Sequence, residues 1–247
     1  MLRPELRCCP DAAALAHEVA VAFVVHAREA IAARGCFCVA LAGGGTPRLL
    51  YETLAGLPAA AAPDWSKVHV FFGDERCVPP DDARSNYRMA RVALLDAVPL
   101  PPANIHRLHG EDMPQAAAAA YARELRRVFG SAAVPRFDLI LLGVGGDGHT
   151  ASLFPGTAVL YVHDAWVRAQ YVEVQHEWRL TLTLPVINAA RAVWVLAAGA
   201  DKAAILHDLR HGPWQPEVWP LQFVNPNVGE YRWWLDAAAC AGLGKTE

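Results

Sequence analysis

Residues 143–156 of this sequence, GVGGDGHTASLFPG, set Asp147 and His149 among five glycines directly after an apolar run. Histidine is the side chain best suited to take up a proton at neutral pH, and a nearby carboxylate fixes its tautomer and stabilises its charged form. So flexible a loop costs conformational entropy, which places it where backbone must come close to something. A histidine that only satisfied loop backbone would not need such glycine density. His149 therefore reads as a general base and Asp147 as its acidic companion, with Thr150 as the candidate cap of a short helix beginning there.

Two further stretches could hold an anion. Gly43, Gly44, Gly45 and Thr46 form a GGGT loop ahead of a helix that Pro47 starts. Such a loop exposes backbone N–H groups at the positive end of the helix dipole, which together hold a phosphate. A tight turn chosen for close packing is the plainer reading of the same glycines. The loop is neither a dinucleotide fingerprint nor a Walker loop, since GxGxxG is absent and no GK[ST] follows. In Gly73-Asp74-Glu75-Arg76, two carboxylates stand beside a guanidinium. Arginine suits bidentate recognition of phosphate, and the acids can hold it in place or accept sugar hydroxyls. Taken alone, such a cluster is more often a solvated ion pair.

Other chemistries find less support. His207 and His211 have the i, i+4 spacing of a metal pair, and His106 and His109 form an HxxH, but neither pair has a third ligand at a matching spacing. No metal and no cofactor are expected. Serine hydrolysis lacks a GxSxG, and Ser152 follows the loop instead of occupying a nucleophile elbow.

The elements that must carry these loops repeat one grammar. Apolar positions at helical spacing run from Asp11, a candidate N-cap, to Arg34, with Gly35 just beyond the end. CFCVALA (36–42) reads as a buried strand leading to the GGGT loop and the helix PRLLYETLA. VHVFFG (68–73) is the next, leading through a loop, DERCVPPDDAR, to a helix capped by Ser85. After a proline-rich link a helix spans about 113–129, with Pro114 in its first turn, and FDLILLG then delivers the histidine loop. In a parallel sheet such loops all leave from the carboxyl ends of the strands, where open α/β folds bind ligands, so the three loops should meet.

Beyond them, DAWVRAQYVEV and EWRLTLTL read as two strands for which antiparallel pairing is the natural candidate. RAVWVLAAG (191–199) is a buried strand before the helix DKAAILHDL, and PLQFVNPNVGEYRWWLDAAAC holds a closing strand or two and a short helix. No role is assigned to 159–176. The expected fold class is α/β: a mostly parallel central sheet with helices on both faces, a Rossmann-like three-layer sandwich, with mixed strands in the C-terminal half.

At 247 residues the chain suits one large domain, residues 1–247. It is 54% hydrophobic and 19% charged, with a formal charge of −3, and so has no general attraction for polyanions. Nucleic acid is not an expected partner, and any anion must be caught locally. No stretch approaches the roughly 18–20 uninterrupted apolar residues of a membrane span. MLRPELRCCPDA lacks the apolar stretch of a signal peptide, so the cytoplasm is expected, with no membrane partner. The six cysteines, Cys8, Cys9, Cys36, Cys38, Cys77 and Cys240, form no CxxC pair, and reduced thiols are expected for all of them.

Together the motifs resemble the 6-phosphogluconolactonase family. The resemblance lies in GGGTPRLLYETL, VHVFFGDERCVPPDDARSNYRMAR, FDLILLGVGGDGHTASLFPG, WRLTLTLPVINAARAVWVLAAGADKAAIL and the terminal WWLDAAA, in family order over nearly the whole chain. It implies a metal-free enzyme of the pentose phosphate pathway that hydrolyses 6-phospho-D-glucono-1,5-lactone to 6-phosphogluconate, on a fold shared with aminosugar-phosphate deaminases and ribose-phosphate isomerases. It also implies roles. His149 takes the general-base position with Asp147 beside it, Asp74 and Arg76 match the family's DER, and Arg84, Ser85 and Asn86 match its RSNY. Arg179 opens the RxTLT segment and Lys202 lies in the GxDK segment.

Water deprotonated by His149 would attack the lactone carbonyl with no covalent intermediate, and the Gly145-Gly146 backbone or Arg179 would donate to the oxyanion. The expected partner is thus a small phosphorylated sugar lactone, bound by a monomer or small homo-oligomer. The family's first loop is commonly Ser-Gly-Gly-Ser-Thr-Pro, whereas this chain reads Ala42-Gly43-Gly44-Gly45-Thr46-Pro47 and lacks both hydroxyls. Weaker phosphate binding is expected there, with Arg48, Arg76 or Lys202 compensating. Two rival readings remain. An aminosugar-phosphate deaminase or isomerase typically continues DGH with IAFNEP and lacks the DER arginine. A non-catalytic sugar-phosphate sensor is favoured only by the altered glycine loop.

Overall fold

The structure, a computed structural model, describes residues 3–130, 133–226 and 228–244. Its strands are β1 (Glu5–Cys9), β2 (Phe37–Leu41), β3 (Val68–Phe72), β4 (Asp74–Arg76), β5 (Leu139–Leu142), β6 (Val167–Val172), β7 (Glu177–Leu182), β8 (Ala192–Ala197) and β9 (Glu230–Asp236). The α-helices are α1 (Ala12–Arg34), α2 (Gly45–Ala55), α3 (Asn86–Ala90), α4 (Pro114–Phe129), α5 (Leu184–Ala189) and α6 (Ala203–His211).

Six strands form a wholly parallel sheet in the order β1-β9-β8-β5-β2-β3, flanked by helices as the α/β reading expects. Every residue of β2, β5 and β8 is buried, which is why these strands read as unbroken apolar runs. From β2 the chain passes to β3 on one side and later returns to β5 on the other. The loops after β2 and β5 therefore diverge at a switch point, where a crevice must open. Helix α1 begins at its expected cap, with Asp11 Oδ1 accepting from the Ala14 N–H at 2.8 Å. It ends at Gly35, whose φ of 82° is left-handed.

Several expectations need correction. The DER residues are not loop but strand β4, which pairs antiparallel with β7, itself paired with β6, in a separate three-stranded sheet. Three residues are too short a run to show periodicity, so partners distant in sequence decided the pairing. The GGGT loop is partly helical, since α2 starts at Gly45, before Pro47. Thr150 caps no helix; its hydroxyl donates to the Gly143 carbonyl at 2.8 Å, tying the histidine loop to its own start. The N-terminal stretch, read only for targeting, supplies edge strand β1.

The cysteines are not all reduced: Cys8 and Cys240 form a disulfide across 232 residues, with Cα atoms 6.2 Å apart. Parallel pairing of the first and last strands sets Cys8 opposite Leu235, and the turn after β9 carries Cys240 back to it. No spacing rule exposes a pairing made by the sheet. Among the described residues no helix is long and apolar enough to cross a membrane.

Candidate active site

The three loops meet. A cavity of about 260 Å3 lies at the carboxyl ends of β2, β3, β5 and β8, lined by Gly43, Gly44, Gly45 and Thr46, by Asp74, Arg76 and Asn86, by Gly145 and His149, and by Arg179 and Lys202. Two buried tyrosines fix the ends of β2 and β3 beside it. Tyr51 of α2 donates its hydroxyl to the Ala42 carbonyl (2.8 Å) and accepts from the Ala42 N–H (3.0 Å). Tyr121 of α4 serves Phe72 in the same way, at 3.1 and 2.9 Å. Each phenol thus pins the backbone at the end of a strand, and burial holds both hydroxyls protonated by raising their pKa values.

The glycines answer to side chains. A Cβ on Gly43 would overlap the Asn86 amide, and one on Gly145 would overlap the His149 imidazole. Helix α2 begins at the cavity with no side chain capping it, so its first backbone N–H groups remain open to an anion. Arg76 and Arg179 bring guanidinium groups whose buried Nε atoms have no hydrogen-bond partner among the described residues, and Lys202 adds a third cation. The opposing charge of Asp74 is spoken for: Oδ1 accepts from Asn86 Nδ2 (3.0 Å) and Oδ2 from the Ser152 hydroxyl (2.7 Å).

His149 Nδ1 lies 2.5 Å from Asp147 Oδ1. Burial alone would raise the Asp147 pKa, but the hydrogen bond and charge of His149 outweigh it and the net shift is downward. An ionised carboxylate only accepts, so the imidazole carries its hydrogen on Nδ1 and presents a lone pair at Nε2. That Nε2 has no hydrogen-bond partner among the described residues. The arrangement can take a proton from a water in the cavity.

Some expected residues lie elsewhere. Arg48 is solvent-exposed and paired with Glu52 (2.8 Å), and Arg84 is held at the surface by Asp82 (3.1 Å) and Glu177 (3.3 Å); neither lines the cavity. The Gly145 N–H is already donated to the His149 carbonyl (2.9 Å), so of the expected oxyanion donors Gly146 and Arg179 are left. Glu75, read as a partner of its neighbour Arg76 or a sugar acceptor, is buried and turned into the start of α3. There it accepts from the N–H groups of Asn86 (2.7 Å) and Tyr87 (2.8 Å) and from the Ser85 hydroxyl (2.9 Å), while burial raises its pKa.

Missed altogether were Glu177, which pairs with Arg179, and Phe154, on which the His149 ring stacks. An acid two residues before an arginine on a strand was the only available signal for the first. Nothing in the sequence marked the second.

A parallel α/β sheet with a cationic crevice at its switch point and a histidine–carboxylate pair on the crevice loop defines a class of enzymes acting on small phosphorylated substrates. Residues 10–233 match the family of glucosamine-6-phosphate isomerases/6-phosphogluconolactonase, and the chain belongs to it. It is 46% identical over 218 residues to a 6-phosphogluconolactonase of Synechocystis sp. (87% of this chain, 88% of that protein). It is 42% identical to one of Streptomyces coelicolor (98% of this chain, 96% of that protein). The 6-phosphogluconolactonase structure from Trypanosoma cruzi superposes with a TM-score of 0.87 at 29% identity, covering 98% of each chain.

Proposed function

We propose that this protein hydrolyses 6-phospho-D-glucono-1,5-lactone to 6-phosphogluconate in the oxidative pentose phosphate pathway, with His149 as general base. The observation that carries the mechanism is the imidazole bonded at Nδ1 to Asp147, with no partner at Nε2 among the described residues, inside a cavity that also holds the uncapped start of α2 and three cations. The phosphate is bound by the α2 N–H groups of the GGGT loop with Arg76 and Lys202, which supply the charge that the missing serine hydroxyls do not. Water lodged between Nε2 and the lactone C1 loses a proton to the imidazole as its oxygen bonds to C1. The carbonyl electrons move onto oxygen, where Arg179 or the Gly146 N–H stabilises the charge. When the carbonyl re-forms, the C1–O5 bond breaks and the imidazolium returns its proton to the departing ring oxygen. No covalent intermediate is needed.

The substrate chemistry asks for no nucleic acid or membrane partner, and we place the enzyme in the cytoplasm as a monomer or small homo-oligomer of one domain. Freshly generated lactone, followed through coupled 6-phosphogluconate dehydrogenase, tests the reading. The wild type should accelerate ring opening well above the spontaneous rate and His149→Ala should not. A wild type at the background rate that still binds 6-phosphogluconate would make the protein a sensor instead.

A further inference from the structure

We propose that Phe154 is a positioning residue for the general base: its ring carries both the His149 imidazole and the Arg179 guanidinium and fixes the angle at which Nε2 meets the substrate. The assignment rests on the lactonase reading above. The imidazole stacks on the Phe154 ring with centroids 4.2 Å apart and planes 22° from parallel, and Arg179 Cζ lies 5.8 Å from the same centroid.

One hydrogen bond at Nδ1 sets the tautomer of a ring but not its plane, because the imidazole can pivot about that bond. A stacked neighbour removes the pivot only if it cannot follow, and Phe154 cannot: its side chain is 2% exposed. The backbone leading to it is pinned from three directions. The Ser152 N–H donates to Thr181 Oγ1 (3.3 Å), its hydroxyl donates to Asp74 (2.7 Å), and its carbonyl accepts from Gln170 Nε2. Ala151, just before, sits at φ 48°, a left-handed conformation that a non-glycine residue keeps only when its surroundings impose it.

The small antiparallel sheet, through Gln170 and Thr181, therefore holds an aromatic platform under a base that belongs to the large sheet. The same platform sets the distance between that base and the cation of β7. An aromatic face also attracts positive charge, so it favours the imidazolium as the proton arrives. Leucine or methionine would fill the volume without providing the face.

The test compares Phe154→Leu, Phe154→Met and Phe154→Tyr with the wild type by steady-state kinetics and by proton NMR of the histidine Cε1–H, assigned against His149→Ala. Loss of the platform is expected to lower kcat about tenfold or more in the Leu and Met variants, with KM changing less, and tyrosine is expected to restore most of it. Ring current from the stacked phenyl should hold the wild-type His149 resonance upfield of the histidines that touch no phenyl or indole ring, as the Phe71 ring should for His106, and only the His149 resonance should be released in the Leu and Met variants.

Unchanged kcat in the Leu and Met variants, or an equal loss in all three, overturns the assignment, as does a wild-type resonance at an ordinary position. Should the aliphatic variants fail to fold, the wild-type resonance and the Tyr variant decide alone. A wild type without lactonase activity overturns the functional reading and this role with it. An active wild type with an unshifted resonance overturns only the role of Phe154.

Discussion

Two histidine–carboxylate pairs of nearly equal length sit in this molecule: His149–Asp147 at 2.5 Å and His106–Glu124 at 2.6 Å. In both, Nδ1–H donates to an ionised acid, Glu124 being held down at about 2 chiefly by its hydrogen bond to Arg127. The difference is at the other nitrogen. His106 is stacked on Phe71 and accepts at Nε2 from His69 Nδ1 (3.1 Å), and its side chain is 2% exposed. His149 is 29% exposed at the cavity and its Nε2 has no hydrogen-bond partner among the described residues. A carboxylate beside a histidine is thus not a catalytic signature. The vacancy at the second nitrogen separates a base from a brace.

Exchanging the two roles should be impossible by mutation, and that gives the sharpest contrast. His149→Gln is expected to lower kcat by about 10²–10⁴-fold, the usual contribution of a positioned base, with little change in Tm. His106→Gln should leave kcat within about twofold and instead lose about 1–3 kcal/mol, because it breaks a buried hydrogen-bonded chain. At this chain length that is roughly 2–12 °C in Tm. Equal kinetic losses from the two would erase the distinction.

Within the catalytic pair, Asp147→Asn keeps an acceptor but removes the charge that stabilises the imidazolium. A fall in kcat of about 10–10²-fold, with KM nearly unchanged, is expected in the same coupled assay. An unchanged kcat would mean that the loop backbone alone orients the base.

The cations allow a parallel comparison. Arg179→Ala should cost about tenfold or more in kcat/KM, while Arg84→Ala, at an exposed pair, should cost less than about twofold. A larger loss at Arg84 would show that it swings into the cavity with substrate.

The smallest effect is on stability against pH. Burial lowers the pKa values of both His69 and His106, despite the help that Glu124 gives His106. Above the ordinary histidine value of about 6.5 both are neutral folded or unfolded, and they add no pH dependence. Below it the unfolded chain takes up protons that the folded chain resists, so stability falls as pH drops. His26 runs the other way. Burial pulls it down, but hydrogen bonding and charge from Glu230 outweigh this and raise it, so its contribution is present below about 6.5 and lost as pH rises through the raised value. Denaturant titrations between pH 5 and 8 should show a shallower acid decline in a His69→Leu/His106→Leu double variant than in the wild type.

Much of the fold could be read ahead because it is local. Asp11 and Gly35 end α1 with their own geometry, and wholly buried strands such as β8 announce themselves as apolar runs. The convergence of the three loops followed from strand direction alone. What could not be read depended on partners far along the chain. β4 exists because β7 lies beside it, Glu75 turns inward because α3 and its cap Ser85 offer it three donors, and Cys8 finds Cys240 because β1 joins β9. The same holds in the site. His149 and Asp147 are two residues apart in sequence and were legible, whereas Phe154 acquires meaning only when its ring is seen beside both base and guanidinium.

The Cys8–Cys240 bond gives the oxidised chain an unusual mechanical character. Tension applied across residues 3 and 244 first peels Glu5–Arg7 of β1 from β9, then crosses one covalent link from residue 8 to residue 240, so residues 9–239 carry no load. Pulled in this way the molecule should yield only by that short peel until a reductant opens the bond, and only then should β2 to β9 be drawn out.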